Sequence, residues 1–286
     1  MRSTAAKAIN FLMVLFPPAK INLGLRILRK RADGFHDLDT VFYPIGLTDV
    51  LEISPNPTGR GVDTVQMKIT GLELPGSNED NLCIKAWKLL KADFPELPAV
   101  QMHLHKIIPT GAGLGGGSAD GAYALRGLNE KFKLGLSTDQ LIGYAAQLGS
   151  DCPFFIYDGP CLGSGRGEIL EPISFSLRGY SIVLVNPGIH ISTKEAFAGI
   201  RPQEDGKPVR AVISQPIETW QDELINDFES SIFPHHPQIK EVKEQLIASG
   251  AVYASMSGSG STVYGVFPHH PGQLNIPGLI HVERLR

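Results

Sequence analysis

Through the first hundred positions apolar and polar residues repeatedly alternate, the period at which successive side chains leave opposite faces of a strand. This alternation, with β-branched runs, predicts strands over residues 21–28, 40–45, 50–53, 65–69 and 100–107. Apolar spacings of three and four predict helices over 82–92, 120–129 and 138–148, the last capped by Ser137. A second set follows after residue 150: a strand over 180–185, helices around 192–199 and 240–249, and a strand over 263–267. Between the sets, Gly163-Ser164-Gly165-Arg166-Gly167 reads as a turn or hinge, and the polar stretch 202–208 as a mobile surface loop. No internal repeat is present. The mixture indicates an α+β fold, and 286 residues suit two compact domains.

One segment lacks either period. Five glycines stand within seven residues (Gly111, Gly113, Gly115, Gly116, Gly117), followed by Ser118, Ala119 and Asp120 and an Ala/Leu-rich helical stretch. A backbone nearly free of Cβ atoms adopts positive φ and approaches a ligand closely. Opening into a helix N-terminus, it presents free amides and the positive dipole end to an anion, most naturally a nucleotide's polyphosphate. A Walker loop would need Gly-Lys-Ser/Thr, and no Lys lies between Gly111 and Tyr123. Gly111, Gly113 and Gly116 spell GxGxxG, but the run begins more than 100 residues into the chain, and Glu130 does not close a second strand. Protein-kinase HRD and DFG motifs are absent downstream.

The string from Pro109 to Ser118 resembles the phosphate loop of the GHMP kinases, small-molecule kinases of the galactose, homoserine, mevalonate and phosphomevalonate type. Pro17-Pro18-Ala19-Lys20-Ile21-Asn22-Leu23 is similar to that family's first motif, and residues 254–264 to its third. The order and spacing of the three match over essentially the whole chain. Arg31-Ala32-Asp33-Gly34-Phe35-His36, Asn78-Glu79-Asp80-Asn81 and Gly149-Ser150-Asp151-Cys152-Pro153 narrow the resemblance. They point to the branch that phosphorylates the 2-hydroxyl of 4-diphosphocytidyl-2-C-methyl-D-erythritol in the non-mevalonate route to isoprenoids.

The resemblance implies a two-domain GHMP kinase fold. An N-terminal ATP-binding domain like the second domain of ribosomal protein S5 would occupy 1–163, and a ferredoxin-like substrate-side domain 164–286. It implies ATP and Mg²⁺ as cofactors and the cytidine-linked methylerythritol as acceptor. Lys20 and Asp151 fall at the catalytic positions, where the carboxylate would take the hydroxyl proton and an ammonium about 4 Å away would keep it ionised. Pro109, Thr110, Gly111, Ala112, Gly113, Leu114, Gly115, Gly116, Gly117, Ser118 and Ala119 would cradle the triphosphate, and Asn81 and Lys106 would face the base. Ser118 offers a hydroxyl for phosphate or Mg²⁺ and equally serves as an N-cap; Asp120 reads as a cap rather than a metal neighbour. Relatives often carry two serines where this chain has Ser118-Ala119. On the acceptor side the resemblance points to Asn22, Phe35, His36, Thr193, Gly258, Ser259 and Gly260, with Phe35 where relatives usually have Tyr.

Composition narrows the rivals. A net charge of −3 with interspersed signs carries no footprint for nucleic acid. Cys83, Cys152 and Cys161 have neither disulfide arithmetic nor metal spacing and read as buried small hydrophobes in a reducing, cytoplasmic setting. No apolar run reaches 18 residues, so no membrane span is expected. Arg2 and Lys7 ahead of the apolar patch 11–16 imitate a secretory signal, but the patch is short and Pro17-Pro18-Ala19-Lys20 follows without a small-x-small site, making Met13 a candidate start. The assembly expected is a monomer or weak homodimer. Another GHMP kinase, a non-catalytic nucleotide sensor and a nicotinamide oxidoreductase remain the rivals; the presence of both Lys20 and Asp151 argues against a sensor.

Overall fold

The structure, a computed structural model, describes residues 12–56, 65–74 and 76–286. Arg2, Lys7 and Phe11 lie outside that range. The apolar patch beyond them forms strand β1 (Met13–Leu15). It begins a sheet with β4 (Val50–Pro55), β6 (Val100–Lys106) and β5 (Val65–Gly71), in the order β1-β4-β6-β5. All neighbours are antiparallel except β5 and β6. The inner face, with Leu51, Ile53, Met102 and Leu104, packs on helices α1 (Leu82–Asp93), α2 (Gly116–Phe132) and α3 (Thr138–Leu148) through Trp87, Leu90, Leu125 and Leu141.

An antiparallel second sheet runs β2 (Pro18–Lys30), β3 (His36–Thr48), β7 (Cys161–Ser164), β8 (Ile169–Pro172). The third comprises β9 (Ser181–Val185), β10 (Tyr253–Met256), β11 (Val263–Phe267) and β12 (Leu279–Arg284), ordered β10-β11-β9-β12. Counted within this half the order is 2-3-1-4, that of a ferredoxin-like sheet. Its helices are α4 (Thr193–Ala198), α5 (Val209–Ile213), α6 (Trp220–Glu223), α7 (Phe228–Ile232) and α8 (Pro237–Ala248). Val183, Ala254 and Met256 on one face of the third sheet join a core with Phe228, Ile232 and Leu246. Ile182, Leu184, Tyr253 and Tyr264 on the other join Ile21, Leu23 and Tyr43 of the second sheet, so one core runs between the two halves of the chain.

The strands and helices anticipated from periodicity are all present. Strands β1, β7, β8, β10 and β12 were not anticipated; each spans six residues or fewer, with β1, β7 and β12 paired to distant strands and β8 and β10 held in hairpins with β7 and β11. β2 departs from simple alternation in its surroundings, because everything from Ala19 to Ile27 is buried, the polar Lys20, Asn22 and Arg26 included. One side enters the core and the other faces a cleft.

Two connections are defined further by their partners. Of the two readings of 163–167 the turn is the one present: Gly163 and Ser164 end β7, and the chain then turns back into β8 as a hairpin. The division expected between 163 and 164 therefore falls inside β7, whose sheet continues to Pro172. The stretch 202–208 is the exposed surface loop expected, and it is tethered to β2. The buried Arg26 guanidinium donates to Gln203 O and Lys207 O at 3.0 Å each, and Gln203 N donates to Ile27 O at 3.0 Å. Cys83, Cys152 and Cys161 are free and buried as expected. Among the described residues no helix is long and apolar enough to cross a membrane.

The Ser137 cap is a complete capping box: Gln140 N donates to Ser137 Oγ at 3.3 Å, and Ser137 N to Gln140 Oε1 at 2.9 Å. Ser137→Ala should therefore cost about 1 kcal/mol. Urea unfolding should show it as a lower midpoint with an unchanged slope.

Candidate active site

The glycine run joins β6 to α2 and lies against the turn after β10. Gly111, Gly113 and Gly115 all have positive φ, at 66°, 78° and 70°. At Gly113 the reason is contact as well as conformation, since a Cβ there would stand 1.9 Å from Ser257 O. Gly115 in the left-handed region ends the loop and starts α2, whose first hydrogen bond runs from Ala119 N to Gly115 O at 2.9 Å. The amides of Gly116, Gly117 and Ser118 thus precede the ladder and point out of the helix start, the arrangement that receives an anion. Ser118 is not the cap, which is Gly115 without a side-chain bond; it sits inside the first turn.

These amides face a cleft of about 660 Å³. Lys20, Asn22, Pro109, Thr110, Gly111, Ala112, Gly113, Gly115, Gly116, Gly117, Ser118, Asp151, Thr193, Gly258 and Ser259 all line it. Residues from both halves of the chain therefore converge on one space. Leu114 and Ala119 do not line it; both are buried in the adjoining cores. Gly260 supports from behind, where a Cβ would stand 2.5 Å from the Met256 sulfur. Asn226, unremarked in the sequence, holds this second glycine turn: its buried Nδ2 donates to Met256 O at 2.7 Å and Gly258 O at 2.8 Å.

Lys20 is 4% exposed, and its Nζ donates to Asn22 Oδ1 at 2.6 Å and Gly113 O at 3.0 Å, 5.4 Å from the centre of the Phe42 ring. Burial holds its pKa below the ordinary 10.5, and the negative charge of Asp151 works against that fall. Among the described residues no direct ion pair joins the two, but both line the same cleft and the Asp151 charge acts on Lys20 there. Asp151 precedes the 3₁₀ turn Cys152–Ile156 and makes no capping bond, leaving its carboxylate to the cleft. Asn22 is more committed than expected: besides accepting from Lys20, it donates from Nδ2 to Thr40 Oγ1 at 2.9 Å.

A second cavity of about 440 Å³ adjoins the loop and shares Leu82, Thr110 and Gly117 with the first. Ile69, Leu72, Leu74 and Asn81 also line it. Asn81 caps α1 by accepting from Cys83 N at 2.9 Å. Lys106 borders this cavity, but its ammonium is buried between Asp49 and Asp120, with Asp120 Oδ2 at 2.7 Å, so it is not a free reader of a base. Asp120 is correspondingly no helix cap.

Phe35 and His36 do not line the main cleft themselves. Their partners do: the Arg166 guanidinium lies 4.7 Å from the Phe35 ring centre, and His36 stacks on Phe197 at 4.7 Å and 19°. Phe35 is 52% exposed. Arg166 and Phe197 were missed as site residues. An arginine inside a glycine turn was the available signal for the first, whereas Phe197 reads in sequence as one more apolar helix position.

The chain matches the family described as GHMP kinases N terminal domain over residues 81–159 and GHMP kinases C terminal over 210–275. It is 51% identical over 255 residues to 4-diphosphocytidyl-2-C-methyl-D-erythritol kinase of Bacteroides thetaiotaomicron, spanning 89% of this chain and 92% of that one. A crystal structure of 4-(cytidine 5'-diphospho)-2C-methyl-D-erythritol kinase aligns with a TM-score of 0.77 at 31% identity, over 90% of this chain and 91% of that one. The homoserine kinase of Cytophaga hutchinsonii aligns at 0.69 with 16% identity, over 94% and 88% of the two chains, and shares the fold.

Proposed function

We infer the reaction from one premise: the chain belongs to the GHMP kinase family, among its 4-diphosphocytidyl-2-C-methyl-D-erythritol kinases. It transfers the terminal phosphoryl group of ATP to the 2-hydroxyl of 4-diphosphocytidyl-2-C-methyl-D-erythritol, a step of the non-mevalonate isoprenoid route. The observation carrying this reading is that the amide-lined loop, Lys20, Asp151 and the substrate-side Thr193 all border one cleft.

In this reading the amides from Gly111 to Ser118 receive the triphosphate, and the adenine enters the adjoining cavity beside Leu72, Leu82 and Asn81. Asp151 takes the proton of the attacking hydroxyl while its oxygen closes on the terminal phosphorus and ADP departs. The Lys20 ammonium, aimed by Asn22 and Gly113 O, offsets charge on the transferring group. Among the described residues no cluster of three His, Cys, Asp or Glu forms a metal cage. Ser118 would be the protein oxygen beside an Mg²⁺ carried by the phosphates, and the ion would supply charge neutralisation when bound. The exposed Phe35 ring takes the cytosine and His36 its polar edge, with Thr193 and the Gly258–Ser259 turn facing the methylerythritol.

A coupled ADP-release assay tests the reading. Turnover should require the cytidine-linked alcohol and be absent with homoserine or mevalonate; no turnover with the cytidine substrate refutes it. Phe35→Ala should raise KM for that substrate about tenfold or more and leave KM for ATP unchanged, as loss of one stacked base is worth roughly 1–3 kcal/mol.

A further inference from the structure

We propose that Asp49 is a positioning residue for the phosphate loop, the centre of a buried ionic clasp that fastens the loop at both ends. The proposal rests on reading residues 109–118 as the ATP loop. Asp49 occupies the single-residue turn between β3 and β4 and is fully buried. It borders neither cavity, so it touches no ligand. Its Oδ1 accepts from Ile107 N at 2.6 Å and Ile108 N at 2.9 Å, the two amides directly before Pro109. Its Oδ2 pairs with Lys106 Nζ, which also donates to Asp120 Oδ2 at 2.7 Å, inside the first turns of α2. The clasp therefore grips the chain immediately before the loop and immediately after it.

Two further observations remove slack. A Cβ on Gly116 would stand 2.8 Å from Ile108 Cγ2 and 3.3 Å from Lys106 Nζ, so strand end and helix start are in contact beneath the loop. Asp49 N donates to Pro17 O at 2.9 Å, tying the clasp to the residue that enters β2 three positions before Lys20. One carboxylate thus fixes the phosphate amides relative to the strand that carries the catalytic ammonium. Local hydrogen bonding would be served by a neutral Asn as well. What Asn cannot supply is the charge that balances a buried ammonium, and losing one partner of a buried pair leaves the other uncompensated. Asp120 Oδ1 has no protein partner among the described residues.

The test compares wild type, Asp49→Asn and Asp49→Glu. The first keeps shape and removes charge; the second keeps charge and, by one methylene, spoils the grip on the Ile107 and Ile108 amides. Each is titrated with a fluorescent ATP analogue, assayed at steady state well below its own Tm, and melted. ATP affinity should fall on the order of tenfold in both variants while KM for the alcohol substrate stays within about twofold, a split that lost stability alone does not produce. A variant that melts earlier but binds ATP as tightly as wild type overturns the proposal, and either variant suffices if the other fails to fold. Wild type failing to bind the analogue would instead defeat the ATP-loop reading, so the two failures are distinguishable.

Discussion

Asp151→Asn is expected to lower kcat by about 10²- to 10⁴-fold with KM for ATP little changed, the range for losing a positioned general base. The substitution conserves volume, and Asp151 makes no capping bond to the 3₁₀ turn that follows, so Tm should hardly move. Activity lost without stability or ATP affinity is the signature of a group acting on the acceptor hydroxyl. A pH profile adds an independent check. Burial places the Lys20 pKa below 10.5, and the Asp151 charge raises it. The ammonium is present below that depressed pKa and lost as pH rises through it, so the alkaline limb of kcat/KM should lie below 10.5 in wild type. Removing the Asp151 charge withdraws the raising influence, and residual activity of the variant should fade at still lower pH. A limb that stays in place would detach Lys20 from Asp151.

Gly113→Ala carries the second large effect and strikes stability as well as activity. The residue has φ of +78°, and a Cβ would meet Ser257 O at 1.9 Å and Ser257 C at 2.9 Å, both backbone atoms. A left-handed alanine costs roughly 1–2 kcal/mol and a forced core displacement about 1–3 more. The loss should therefore be about 2–5 kcal/mol in urea unfolding. Gly113 O also accepts from Lys20 Nζ at 3.0 Å and from Ser257 Oγ at 2.8 Å, so moving it releases the Lys20 ammonium and parts the two glycine turns. Turnover should fall in the molecules that remain folded. Gly117→Ala is the stability control: it has no positive φ and nothing within 4 Å of the added atom, so its unfolding midpoint should be retained.

Much of the site was legible because its chemistry is local. A glycine at every second position announces a backbone that approaches a ligand, and α1, α2 and α3 follow from spacings of three and four over ten or more residues. Lys20, Asp151 and the turn at Gly258 were located by resemblance rather than by pattern, and the cleft gathers them. Misreadings arose where a polar residue's partner lies far along the chain. Lys106 resembles a base-facing lysine until Asp49, 57 residues earlier, and Asp120, 14 later, close on it. Arg26 turns an apparently free loop into a tethered one from about 180 positions away.

By itself, then, the amino-acid order determined the α+β class, the glycine-rich run ahead of α2 and the family to which the chain belongs. Periodicity and glycine content act over a few residues and need no partner to be read. Tertiary structure alone decided that Lys20 is aimed by Asn22 and Gly113 O, that Arg166 and Phe197 attend Phe35 and His36, and that Asp49 underlies the loop. Charge, desolvation and hydrogen-bond direction depend on which distant groups share a buried volume, and that is settled only when the sheets close on one another.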